Sequence, residues 1–417
     1  MTPNERDILA HVERLADEMV EFTRQLVRIP TVNPPGECYS ACADLIGKRL
    51  HDLGYSVESL PAVGLPEHTP ERPRINVVGT TGSGQQPLLH FNGHYDVVPP
   101  SAGWTTDPFA AELRDGRIFG RGTCDQKAGI AASIYAVEAV RRAGIDLRGT
   151  VEQSATPDEE SGGFAGVAWL CDVGRIRRDR QRYVVITEPL DPERVCIGHR
   201  GVYWFQLATT GRVGHGSMPG LAVNAAETMA RLVQAIEDEL KPRLKRRHSG
   251  APVEPEQARA PSINLNAIHA GQAIGGWQTP AVPDRCTAVF DRRFIHEESF
   301  EDVRSEIIQI LDAQGVAYEI QDLMRVDPLL GDRSAGLAQH AATAIRDVLG
   351  VEAAFIVSPG TYDQKHVVRR AGIQECIAYG PGRLVLAHQP DEHIEVADLV
   401  SAAKVMALLA FQLVGQH

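Results

Sequence analysis

The stretch HFNGHYDVVP, residues 90–99, sets an imidazole (His94) and a carboxylate (Asp96) one residue apart where an apolar run of Leu88, Leu89 and Phe91 gives out. Imidazoles and carboxylates bind borderline divalent cations and move protons. Ligand-type residues stand at comparable places further along: Asp125 after GRIFGRGTC, Glu159 and Glu160 after VEQSATPD, Glu188 after YVVIT, and His388 after IAYGPGRLVLA. Taken singly, an HxD turn or a Glu-Glu pair reads as a solvated turn or an acidic helix start. Their joint occurrence points to a site, because ligands in wound α/β sheets gather beyond the carboxyl ends of the strands.

The elements that must position these residues can be read from periodicity. Helical patterning covers 5–28 and 38–53, followed by apolar runs at 75–79, 88–93, 150–156, 166–172 and 183–187, with a helix over 128–144 between them. Strands alternating with helices imply an α/β layer architecture with a buried sheet. Near 197 the order changes to strand (202–211), helix (224–240), strand (262–271), strand (286–294), helix (299–315) and strand (317–324). That βαββαβ order is the ferredoxin-like split βαβ unit. From about 327 the earlier alternation resumes, ending in a helix over 396–414. A chain of 417 residues is long for one core. The expected fold is therefore an α/β domain (1–196 and 327–417) interrupted by an inserted ferredoxin-like α+β domain (197–326).

Bulk properties exclude several classes. A net charge of −12 disfavours nucleic acid, and the one basic run, KPRLKRRH at 241–248, reads as a solvated helix end. The N-terminus carries charges throughout, unlike a signal peptide, and no membrane partner is expected. Seven scattered cysteines without a CxxC pair suggest a cytoplasmic location and exclude thiolate-rich structural zinc. No G-x-S-x-G elbow or HExxH motif occurs. HEE at 296–298 and DEHIE at 391–395 read as solvated acidic runs, and Arg292 as a solvated charge.

In order along the chain stand GHYDVVP, GRGTCDQKAG, TPDEESGG, ITEP, GHGSMPG with NAAE, and YGPG with AHQPDE. Together they resemble the dinuclear metallohydrolase family of acetylornithine deacetylase, succinyl-diaminopimelate desuccinylase, aminoacylase and carboxypeptidase G. The resemblance implies a zinc-peptidase-like catalytic domain holding two divalent ions, Zn²⁺ first, with Mn²⁺ or Co²⁺ as alternatives. It makes His94, Asp125 and Glu188 ligands of one ion and Asp125, Glu160 and His388 ligands of the other, Asp125 bridging. It makes Asp96 the carboxylate that fixes the His94 ring and Glu159 the general base for attack by a hydroxide between the ions. His215 is then an oxyanion donor, often reaching across a homodimer, and Arg293 a clamp for the substrate carboxylate, while Asn264, Gly360, Thr361 and Gly382 contact substrate. The inserted domain would serve as dimerisation surface or lid.

Two departures from the family bear on specificity: Gln126 stands where Met is frequent, and GGWQTP at 275–280 replaces the usual small residues. The expected reaction is cleavage of the amide C–N bond of a small N-acylated amino acid or related carboxylate. Dipeptidase, carboxypeptidase or aminohydrolase chemistry on the same metals is the enzymatic alternative. A non-catalytic metal-binding scaffold would be expected to lack a ligand or the base, and neither is missing.

Overall fold

The computed structural model describes residues 1–271 and 280–415. The chain divides into two units, Met1–Gly198 with Gly331–Ile356 and Tyr362–His417, and His199–Leu330 with Val357–Thr361. The short segment Val357–Thr361 groups with the inserted unit because Val357 is bonded there: its N–H donates to the Pro252 carbonyl at 2.9 Å and its carbonyl accepts from the Glu254 N–H at 3.1 Å.

The larger unit is built on a sheet ordered Ser56–Pro61, Ile75–Gly82, Thr150–Thr156, Leu88–His94, Tyr183–Ile186, Cys376–Ala378 and Arg194–His199. The central four strands run parallel, and every residue of Leu88–His94 and Thr150–Thr156 is buried. Burial on both faces explains why these strands read as continuous apolar runs without alternation. Their ends fall in register: His94 lies opposite Thr156, Asn92 opposite Ile186, and Ile186 opposite Ala378. One sheet edge therefore delivers the segments that carry Asp96, Glu159, Glu160 and Glu188.

The helix Ala128–Arg142 is buried over most of its length and packs against Val396–Val414 and Pro3–Arg14. It starts close against the sheet edge, where a Cβ on Gly129 would meet the Thr187 carbonyl oxygen at 2.3 Å. Only glycine permits that approach. Val396–Val414 is the one helix among the described residues long and apolar enough to cross a membrane, and it is mostly buried inside the protein.

At its outer end the sheet carries a buried polar group. Glu152 accepts from Arg175 and Arg180, both at 2.7 Å, from Gln181 at 2.9 Å, and lies 3.2 Å from His90 Nδ1. Burial works against its charge, but His90 and Arg175 outweigh that effect and hold the carboxyl well below the usual range. A carboxylate depressed in the folded state contributes stability above its unfolded pKa and loses it as pH falls through the folded one. Glu152→Gln should therefore destabilise by about 3–5 kcal/mol at neutral pH. In urea titrations the gap to wild type should begin to narrow as pH falls below about 4.5 and go on narrowing at lower pH, and a gap independent of pH would contradict the assignment.

The inserted unit has a four-stranded antiparallel sheet ordered Ser262–Ala270, Arg285–Phe294, Gly201–Thr210, Glu319–Val326, with helices Ala225–Ala235 and Phe300–Asp312. Alternation puts Tyr203, Phe205, Leu207, Ala288 and Phe290 on the inner face, where they pack with Met229, Leu232, Ile307 and Leu311. Phe205 and Phe290 stack at 5.1 Å between ring centroids.

Two residues taken as solvated, Arg292 and Glu392, are buried in this chain, and a third, Glu298, is ion-paired. Arg292 is fully buried and donates to Glu298 at 2.7 Å, and Arg247 donates to the same carboxylate at 2.7 Å. The HEE run thus ends in an ion-paired residue, and Arg247 of the basic run is its partner. In the larger unit, Glu392 of DEHIE has no exposed surface. Strand alternation turns Arg292 inward, and countercharges, six residues away for Arg292 and far along the chain for Glu392, make such burial tolerable.

Candidate metal centre

All seven ligand-type residues, His94, Asp96, Asp125, Glu159, Glu160, Glu188 and His388, belong to the larger unit. His94 is the last residue of its strand and is buried. Its Nδ1 lies 3.0 Å from the Asp96 main-chain carbonyl and 3.4 Å from the Asp96 carboxylate. The ring thus meets the main-chain carbonyl of Asp96 and, at the longer distance, its expected carboxylate, whose oxygens also accept from the Glu159 N–H at 3.1 Å, the Glu160 N–H at 3.2 Å and Asn33 Nδ2 at 2.9 Å. Asp96 ties the end of one strand to the turn after the next. That turn, Glu159–Ser161, begins at Asp158, which has φ 64° and accepts from Arg74 Nε and Tyr39 Oη, both at 2.8 Å.

Asp125 sits in a short helical segment, Thr123–Lys127, where its own φ and ψ are non-helical, so its carboxylate leaves the helix axis. One oxygen faces His94 Nε2 at 3.0 Å and the other faces His388 Nε2 at 3.3 Å. His388 Nε2 also lies 3.0 Å from Glu160 Oε1. Donor atoms of His94, Asp125 and Glu160 fall within 4.8 Å of one another, a spacing that can hold a metal ion. Glu188 follows the strand Tyr183–Ile186, and its Oε1 accepts from Gln126 Nε2 at 2.6 Å, while Gln126 Oε1 accepts from Thr187 Oγ1 at 2.7 Å. Gln126 therefore orients a candidate ligand.

The electrostatics of this cluster are those of crowded carboxyls. Burial opposes charge on Asp125, yet the hydrogen bonds from His388 and His94 hold it well below the ordinary range. His388 is pushed up to about 11, since its contacts with Asp125 and Glu160 outweigh burial. Burial and the neighbouring Asp125 charge push Glu160 up to about 7 and raise Glu188 well above its usual value. Acids forced together out of water are relieved by a cation. The donor set of imidazoles and carboxylates fits Zn²⁺, Mn²⁺ or Co²⁺.

Sequence reasoning missed two groups here. Lys365 is buried and donates to Glu159 Oε1 at 3.1 Å. Burial works against the ammonium, but Glu159 and Asp363 outweigh it and raise its pKa. Asp363, also buried, accepts from Asn92 Nδ2 at 3.3 Å. Both lie in TYDQKH, which carries no spacing signal.

Of the remaining predicted residues, Gly382 lies in the larger unit at φ +93°, where a Cβ would meet Cys124 Sγ at 2.8 Å. The others lie in the inserted unit. Arg293 is held by Asp291 through Nε at 2.8 Å and Nη2 at 2.9 Å. His215 is exposed, its Nδ1 accepting from the Ser217 N–H at 3.2 Å. Asn264 Nδ2 donates to Asn266 Oδ1 at 2.7 Å. Gly360 donates to Ser358 Oγ at 3.2 Å, and Thr361 follows it. Of GGWQTP, all but Pro280 lies outside the described residues.

Comparison with known proteins follows the same lines. The family model "Peptidase family M20/M25/M40" matches residues 90–412. A succinyl-diaminopimelate desuccinylase from Thioalkalivibrio sulfidiphilus is 27% identical over 398 residues, covering 93% of this chain and 96% of its own length. Among solved structures, the di-peptidase Dug1p of Saccharomyces cerevisiae superposes with a TM-score of 0.83 at 17% identity, over 98% of each chain. The Bacillus subtilis YXEP protein, described as a dinuclear metal binding peptidase, gives a TM-score of 0.65 at 14% identity over 96% of this chain and 99% of its own. The two structural likenesses show a shared fold. A family match that runs past His94 at one end and His388 at the other identifies this chain as a metal-dependent hydrolase belonging to peptidase family M20/M25/M40.

Proposed function

We propose that this chain hydrolyses the amide C–N bond of a small N-acylated amine bearing a carboxylate, at a pair of divalent ions, with Glu159 as general base. The observation that carries this reading is the Asp125 carboxylate, whose two oxygens face different histidines. His94, Asp125 and Glu188 would hold one ion and His388, Asp125 and Glu160 the other, Zn²⁺ being the first choice. Once bound, such a pair polarises the substrate carbonyl and acidifies an attacking water.

The chain's own groups then have defined tasks. Glu159 has its N–H on Asp96 and its Oε1 on Lys365, so Oε2 takes the water's proton and passes it to the leaving amine. Arg293, oriented by Asp291, offers a fork to the substrate carboxylate. His215 donates to the developing oxyanion in a homodimer, and Asn264, Gly360, Thr361 and Gly382 line the substrate. Lys365→Met should lower kcat on the order of 10²-fold through misplacement of Glu159. KM should change little, and Lys365→Arg should restore most of the rate.

The desuccinylase relative supports an acyl group as the part removed. The di-peptidase among the structural neighbours favours a second reading, hydrolysis of free dipeptides. Protein reconstituted with Zn²⁺, Mn²⁺ or Co²⁺ should be assayed on N-succinyl, N-acetyl, N-formyl and N-carbamoyl amino acids, dipeptides and amino-heteroaromatics. An N-acyl amino acid should exceed every dipeptide at least tenfold in kcat/KM. Higher values on dipeptides would establish the second reading, and ammonia release from amino-heteroaromatics would establish an aminohydrolase.

A further inference from the structure

The acidic residue hidden in AHQPDEHIE is part of a fastening between two loops of the site. Glu392 has no exposed surface, and Arg121 is 1% exposed. One Glu392 oxygen accepts from three backbone N–H groups, those of Gly122 at 3.0 Å, Cys124 at 2.9 Å and Asp125 at 3.1 Å. The other oxygen accepts from Arg121 Nη1. The same guanidinium donates to the main-chain carbonyls of His388 at 3.2 Å and Gln389 at 3.4 Å, and it lies over the Trp104 ring. The Glu392 carbonyl accepts from the Gly120 N–H at 2.8 Å, closing the loop pair from its backbone side.

The two halves of the metal centre differ in what holds them. His94 ends a strand buried in the sheet, and Glu188 lies just past another. His388 ends no strand: it sits in a loop at φ 63°, with its side chain 48% exposed. Its main chain is gripped by Arg121, and the Asp125 main chain by Glu392. We propose that Arg121 and Glu392 are positioning residues that set the spacing of His388 from Asp125. Arg121, acting through His388, thereby sets the affinity for the ion held by His388, Asp125 and Glu160 with little effect on the ion held by His94, Asp125 and Glu188, whereas Glu392 acts through the shared Asp125. This inference rests on the two-ion reading above.

The test is ion content measured independently of turnover. Zinc-loaded enzyme is equilibrated against buffers of graded free Zn²⁺, and ions per chain are counted by elemental analysis. Wild type should hold two ions. Arg121→Lys keeps a charge beside Glu392 but loses the planar fork that reaches two carbonyls at once. The midpoint of its weaker ion should rise roughly 10–100-fold, as when groups that orient ligands are removed. Its tighter ion should stay within about threefold of wild type by the same reasoning, as circular dichroism confirms a native fold. His388→Ala should keep one ion whose midpoint is indifferent to adding Arg121→Lys. Glu392→Gln, which loses the charge but keeps an acceptor for the amides, should also weaken the second ion.

An unchanged second midpoint in both Arg121→Lys and Glu392→Gln would overturn the proposal, with two ions in wild type leaving the two-ion reading intact. So would an equal rise of both midpoints in Arg121→Lys. A saturated wild-type chain with fewer than two ions would overturn the two-ion reading and this proposal with it.

Discussion

Glu159→Gln should lower kcat by roughly 10²–10⁴-fold, the range in which a positioned proton acceptor contributes. The neutral amide keeps the size of the side chain and an oxygen for Lys365, so the pocket should survive. What it loses is the ability to take a proton. Because the proposed ligand is the neighbouring Glu160, and both backbone N–H groups are fixed on Asp96, ion content should equal that of wild type. Steady-state kinetics and elemental analysis on one preparation test both halves of the expectation. Near-normal turnover would remove Glu159 from the role of base. Lost ions would show instead that it helps to hold the metal.

Asp125→Asn should have the opposite signature, with loss of ions and loss of activity together. Both carboxylate oxygens face a histidine, so neutralising them weakens both halves of the centre at once. The substitution also leaves Glu160 and Glu188 without the neighbouring charge that, with burial, raises them. A bound ion in hundredfold excess over its Kd stabilises a fold by about 2.7 kcal/mol. Added Zn²⁺ should therefore raise Tm in wild type and leave it nearly unchanged in Asp125→Asn. A variant that still holds two ions and shows the full thermal shift would remove Asp125 from the bridge.

How much of this was legible in the sequence differs from residue to residue, for physical reasons. His94, Glu159, Glu160 and Glu188 follow runs whose burial makes them conspicuously apolar, so the strands announce themselves and the polar residues stand out at their ends. The strand and helix order of the inserted unit was readable because two faces of its sheet differ in burial. Glu392, Glu298 and Arg292 were misread because a charge looks solvated until its partner is known. For Glu392 that partner, Arg121, stands far away in the chain, and nothing local to DEHIE hints at it. Lys365 escaped for the same reason, since its partner Glu159 lies on a different segment. The Asp96 contact was legible in part: spacing put the carboxylate beside the His94 ring, but only three-dimensional packing shows that the main-chain carbonyl lies closer.

The parallel strand ends that carry His94 and Glu188 lie in the first half of the polypeptide, whereas His388 and Glu392 come from its last segments. During translation, a ribosome-bound chain would display the early donors before the late ones exist. Under the two-ion reading, the position that needs His388 is thereby completed only when synthesis is all but finished.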